Sequence, residues 1–173
     1  MSSLTDFLQH THDVFRPIDT ELVADVRARL AGLGLATEEP WLRALRDELP
    51  PSRELHREPN QGWVLLAHSE HGGLYRPPHD HGRSWVVYAL AQGEMEISTY
   101  ARVGSGLVKR DTTLLRPGDA RVYLPGDIHD TRCLRGPSIL FRFTERDLKV
   151  EDLVEHRLTR YVERDGVWTA GPA

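Results

Sequence analysis

The stretch Gly73-Leu-Tyr-Arg-Pro-Pro-His79-Asp-His81-Gly-Arg-Ser-Trp85-Val-Val-Tyr88-Ala-Leu-Ala-Gln-Gly93 sets two histidines, two residues apart, ahead of an apolar run that ends on glycine. In a strand, residues two apart point to the same face, so His79 and His81 offer their imidazoles side by side. Neutral imidazole is the commonest metal-binding side chain. Pro77-Pro78 forces an extended entry into the pair, and Gly82 frees the chain before the apolar run. Later, the turn signals Gly118-Asp119 and Pro125-Gly126-Asp127 bracket Val122-Tyr-Leu124 and lead to His129. A neighbouring strand would bring that residue in as a third ligand, giving a metal site of His79, His81 and His129.

Working outward, short β-rich runs recur over 63–68, 85–91, 94–100, 107–109, 120–124, 138–144 and 156–162. Turns are expected between them at Gly72-Gly73, Gln92-Gly93, Gly104-Ser-Gly106, Pro117-Gly118 and Gly136-Pro137. Met95, Ile97 and Thr99 alternate with Glu94, Glu96 and Ser98, the pattern of a strand with one wet side. Helices come first. A short one is flanked by His10 and His12. In a second, Asp19 caps a stretch whose Leu22, Val23, Val26, Leu30 and Leu33 share one face, and Gly32 and Gly34 end it. A third runs from Pro40 to Leu49, with Trp41, Leu42, Leu45 and Leu49 as its stripe and Pro50-Pro51 as its stop. The fold class is all-β with N-terminal helices, a small antiparallel barrel or sandwich. The helical extension covers 1–52 and packs on a barrel over 53–165, with 169–173 frayed.

The 173 residues suit one well-cored domain. With 28% charged residues, 39% hydrophobic ones and a formal net charge of -4, there is no overall basic field for nucleic acid. No apolar run is long enough to cross a bilayer, and Met1-Ser-Ser-Leu-Thr-Asp6 lacks the order of a signal peptide, so no membrane association and a cytoplasmic location are expected. Cys133 is the sole cysteine, which excludes an internal disulfide and suits a small buried residue. Surface or structural roles are the default for His10, His12, His56, His68, His71 and His156.

The glycines and histidines at Gly73, His79, His81 and Gly93, followed by Gly118, Gly126 and His129, resemble the two motifs of the cupin superfamily across roughly residues 60–145. The resemblance implies a double-stranded β-helix, a jelly-roll-like small barrel. Where cupins usually carry a metal-binding glutamate, this chain has Trp85 or Val86, neither of which can bind a metal. Three histidines without the carboxylate resemble the thiol dioxygenases related to cysteine dioxygenase, and His79-Asp-His-Gly-Arg-Ser-Trp85 with Pro125-Gly-Asp-Ile-His129 is similar to their bacterial members. That resemblance implies Fe(2+) and molecular oxygen as co-substrate, and a small thiol-containing or chelating carboxylate as substrate. Three neutral ligands leave iron its full charge and open positions for such a substrate. Zn(2+) and Ni(2+) remain alternatives because histidines alone do not select iron. Cupins are often dimers, so a homodimer is an implied partner.

The late strand departs from the thiol dioxygenases. Their Ser-x-His-x-Tyr series is replaced by Ser138-Ile-Leu-Phe-Arg-Phe-Thr144, and Cys133 stands where an asparagine often follows the third histidine. The departure leaves room for a diketone-cleaving dioxygenase, and a non-catalytic sensor or storage cupin is the rival class. By resemblance, Arg57 occupies a place comparable to the arginine that clamps the substrate carboxylate, a contact suited to guanidinium; otherwise it is a solvated loop residue. Counting in twos from Val86 puts Tyr88 and Leu90 on one face and Trp85, Val87 and Ala89 on the other. If the Tyr88 face lines the barrel, its phenol reaches the metal as an acid or hydrogen-bond donor; otherwise it is a packed tyrosine. Arg142, if it points inward, needs an anionic partner.

Overall fold

The structure is a computed structural model and describes residues 2–171. Three helices come first: α1 (Ser3–Val14), α2 (Thr20–Leu33) and α3 (Pro40–Glu48). Each starts where its cap dictates. Ser2 accepts from the Thr5 amide, Asp19 accepts from the Leu22 amide at 2.8 Å, and Pro40 opens the first turn of α3. Leu49 closes α3 in the left-handed region, φ 45°, ahead of Pro50. Leu22, Val26, Leu30 and Leu33 form the buried stripe of α2.

Among the described residues nine strands follow: β1 (Arg53–Arg57), β2 (Val64–Glu70), β3 (Tyr75–His79), β4 (Val86–Val103), β5 (Gly106–Leu115), β6 (Ala120–Tyr123), β7 (Ile128–Thr144), β8 (Tyr161–Arg164) and β9 (Val167–Ala170). β4 and β7 are long, and each serves two layers. The first half of β4 lies between β6 and the second half of β7, which continues to β2 and β1. The second half of β4 lies between β5 and the first half of β7, which also pairs with β3. All these pairings are antiparallel, and the two layers face each other as a jelly-roll sandwich.

Gln92-Gly93, expected as a turn, is a bend inside β4. Gly93 sits at φ 86°, the register with β7 shifts on both sides of it, and the strand continues in the second layer. A side chain there has no room, since a Cβ would meet the Arg135 carbonyl oxygen at 2.4 Å and the Ser138 Cα at 2.9 Å. The same continuity merges the runs expected at 85–91 and 94–100, and Gly136-Pro137 likewise lies inside β7. Two other expectations change. The run from His156 begins in a left-handed turn (φ 51°) after the π-helical turn Val150–Val154, and its strand starts only at Tyr161. The end is paired: β9 reaches Ala170, and the Gly171 amide donates to the Arg160 carbonyl. Pro172 and Ala173, also expected to fray, lie outside the described residues.

Alternation along β4 divides the interior. Trp85, Val87, Ala89 and Ala91 pack with Phe141, Phe143 and the helices on the outer side of the first layer. Val86, Tyr88 and Leu90 point between the layers to meet Met95, Ile97 and Leu140. The face of the second layer carrying Ser98 is drier than its sequence suggests. Ser98 is buried there, and beside it Tyr100 and Ile128 pack under Tyr161 and Trp168 of the β8–β9 hairpin. Among the described residues no helix is long and apolar enough to cross a membrane.

Candidate metal centre

His79 is the last residue of β3 and pairs across from His129 on β7. Between Arg76 and His79 the register slips by one, and Pro77-Pro78 occupies the slip, where a missing N–H breaks no ladder bond. His81 is not on the strand, as its spacing suggested, but in the loop that follows. Asp80 holds that loop. Its Oδ1 accepts from the Gly82 and Thr159 amides at 3.1 and 2.9 Å, and its Oδ2 accepts from Arg102 at 3.1 Å. Beside His129, buried Asp130 fixes β7 by accepting from the Tyr100 hydroxyl at 2.6 Å, the Tyr75 hydroxyl at 3.0 Å and the Ser98 amide at 3.0 Å.

The three histidines converge, with one ligand atom from each lying within 4.8 Å of the others. Burial, followed by neighbouring positive charge, pushes the His81 imidazole well below the usual range; burial does the same for His129, and His79 is lowered too. All three are therefore neutral at pH 7, the form that binds metal. His79 Nδ1 donates to the Pro77 carbonyl at 2.8 Å, which leaves Nε2 with its lone pair. Among the described residues, His81 Nδ1 and both ring nitrogens of His129 are buried without a hydrogen-bond partner. Such orphaned groups cost about 1–3 kcal/mol each, and a metal ion would satisfy one nitrogen of each imidazole. The residues fit a divalent transition metal. Trp85 and Val86 are fully buried apolar residues, Val86 opening β4 and Trp85 just ahead of it, and they pack in different clusters.

His79 and His81 open onto a cavity of about 630 Å³ that Tyr88, Leu140 and Arg142 also line. Tyr88 Oη lies 3.2 Å from His81 Nε2, and burial keeps the phenol protonated although Arg142 opposes the shift. Tyr123 stacks on His129 with ring centroids 3.9 Å apart. Arg57 does not line this cavity. Its guanidinium binds Glu54 and, at 2.5 Å, Asp147, which ties β1 to the segment after β7. A short chain distance to the histidine pair could not reveal that surface pairing.

Arg142 does face inward. Of the arginines lining the cavity, Arg76 pairs with Glu70 and Arg160 with Asp152, whereas Arg142 forms no ion pair among the described residues and its Nε is buried without a partner. The parity signal was present in the sequence, because Phe141 and Phe143 alternate with it toward the helices. His68 also departs from its expected role by lining the cavity from β2. His10 and His12 instead pair with Asp25 and Glu58 away from it. Cys133 is fully buried and lies 3.6 Å from the Glu70 carbonyl oxygen.

Burial, reinforced by Arg142, lowers His68 to about 4. An unfolded histidine titrates near 6.5, so this group stabilises the fold fully above pH 6.5 and ceases to do so as pH falls through 4. Between pH 7 and 5 the loss is ~2 kcal/mol, at about 1.4 kcal/mol per pKa unit. Urea denaturation in the presence of a chelator should show wild type losing that much more stability than His68→Phe over the interval. Parallel pH dependence of the two proteins would contradict the burial of a neutral His68.

No protein-family model matches the sequence, and no curated protein matches it either. Solved structures do resemble the fold. The DMSP lyase DddQ from Ruegeria pomeroyi DSS-3 has a TM-score of 0.51 at 16% identity, covering 85% of this chain and 93% of that one. KdgF from Halomonas sp. gives 0.47 at 20% identity over 60% and 83%. The cupin domain of Schizosaccharomyces pombe Cnp3 gives 0.46 at 13% identity over 61% and 66%. At these identities the likeness is one of fold. Fold and site together define an all-β jelly roll with N-terminal helices and a three-histidine group able to hold a metal. The architecture is the jelly-roll-like double-stranded β-helix expected from the sequence.

Proposed function

We propose that this chain is a metal-dependent enzyme in which His79, His81 and His129 hold ferrous iron, and that it oxygenates a small carboxylate carrying a thiol or another metal-binding group. The observation that carries the reading is the shared cavity: His79 and His81, with the partnerless His81 Nδ1, on one wall and Arg142, which has no ion pair among the described residues, on another. When bound, iron would supply the redox activation of molecular oxygen and a coordination site for the substrate's donor atom. Arg142 binds the carboxylate through two parallel hydrogen bonds, which fixes the substrate's orientation. Tyr88, held as a phenol, donates a hydrogen bond or a proton from Oη beside His81. Leu140 and Leu148 keep that part of the cavity apolar and exclude water.

Metal analysis of the purified protein, followed by anaerobic iron loading and an oxygen-electrode screen of small thiols, mercapto acids and β-diketones, tests the reading. Substrate-dependent oxygen uptake is expected with mercapto acids. Tightly held zinc, with no oxygen uptake from any of these compounds, would overturn it in favour of a binding or sensing role. Within the active preparation, Arg142→Gln should raise KM for the acid about 100-fold while changing kcat much less, since the ion pair acts in binding. An unchanged KM would remove Arg142 from the substrate site.

A further inference from the structure

We propose that His68 is a specificity residue whose Nε2 accepts a hydrogen bond from a neutral donor, a hydroxyl group, placed next to the substrate carboxylate; this rests on the reading of Arg142 as the carboxylate's partner. Parity along β2 turns Leu65 and Ala67 toward the helices and His68 to the opposite face, where it lines the same cavity as Arg142. His68 pairs across from Leu140, so Arg142 is its diagonal neighbour on β7, and such positions stand about 7–8 Å apart. One small molecule can touch both.

The tautomer follows from the backbone. His68 Nδ1 lies 3.3 Å from the Pro51 carbonyl oxygen, which can only accept, so Nδ1 carries the proton and Nε2 the lone pair. That Nε2 is buried and has no partner among the described residues. A buried acceptor left unmade is unfavourable, so a ligand that supplies a donor is preferred over one that does not. The neighbourhood selects the kind of donor. Arg142 and Arg76 both bring positive charge to His68 and help to keep its imidazole neutral, and the same charge disfavours an ammonium group at that spot. A hydroxyl meets no such repulsion.

Calorimetric titration of the full chain with glycolate against acetate, and lactate against propionate, reads this out, first as purified and then after chelation. Each hydroxy acid should bind about tenfold tighter than its partner in both preparations. His68→Gln, which keeps an acceptor near the ε position, should retain most of that preference. His68→Asn, which keeps the bond to Pro51 and loses the acceptor, should bring each pair to within about twofold. A preference that appears only with metal present assigns discrimination to the metal and overturns the proposal, as does a preference that survives in His68→Asn. Binding of all four acids without discrimination sinks the role of His68 alone, whereas failure of every acid to bind sinks the carboxylate reading beneath it. Nitrogen-15 NMR of the His68 ring adds a measurement independent of any variant: a protonated Nδ1 is expected at pH 7, and a protonated Nε2 would overturn the assignment.

Discussion

Replacing His129 with leucine should abolish stoichiometric metal binding and, at the same time, leave the metal-free protein as stable as wild type or more so. The two outcomes share one cause. Both ring nitrogens of His129 are fully buried, and neither has a hydrogen-bond partner among the described residues. In the metal-free chain the imidazole therefore carries an unmet desolvation penalty, of order 1–3 kcal/mol for each such group. An apolar side chain of similar size removes that penalty while keeping contact with Tyr123, whose ring lies against the imidazole. Loss of the ligand itself should lower metal affinity by more than about 100-fold, the upper end of what losing even a supporting partner of a ligand costs. Metal analysis after dialysis, with thermal unfolding in chelator, checks both halves. A variant that still holds one equivalent of metal would remove His129 from the ligand set. A marked fall in metal-free stability would instead mean that His129 packs as a structural residue.

Gly93→Ala should destabilise the barrel by roughly 4 kcal/mol or more. Two terms add. The backbone sits at φ 86°, where a side chain costs about 1–3 kcal/mol, and the new Cβ would fall 2.4 Å from a backbone carbonyl that cannot move without breaking the β4–β7 ladder. Gly62→Ala separates the terms. Gly62 has nearly the same φ, 84°, but open space around it, so only the conformational cost of about 1–2 kcal/mol applies. Urea unfolding of the two variants side by side should show a gap of at least about 2 kcal/mol. Equal losses would mean that the bend in β4 tolerates a side chain.

Much of this architecture was legible because glycine and proline punctuate it and alternation names its faces. Asp19 and Pro40 start α2 and α3 where local chemistry places them, and the Val86-Tyr88-Leu90 face points between the layers. What escaped had physical reasons. β1, Arg-Glu-Leu-His-Arg, is an edge strand whose charged residues carry little apolar signal. Gln92-Gly93 has the composition of a turn, yet the positive φ of Gly93 serves a bend, and only pairing with β7 distinguishes the two. The three histidines were legible from spacing and punctuation, although His81 reaches the group from a loop pinned by Asp80 rather than from the strand. Arg57 and Arg142 show the limit of one-dimensional reading. Position relative to the histidine pair favoured the first, while parity beside Phe141 and Phe143 turns the second into the cavity.

The division of β4 and β7 into a helix-facing and a cavity-facing set has a consequence for how this protein can change. Residues one apart along the same strand answer to different demands: Trp85, Val87, Phe141 and Phe143 to cohesion with the helices, and Tyr88, Leu140 and Arg142 to whatever occupies the cavity. New ligand preferences are therefore open to drift or to a randomised library at every second position, with the intervening residues held constant as a foundation. A scaffold wired this way can exchange its chemistry without renegotiating its fold.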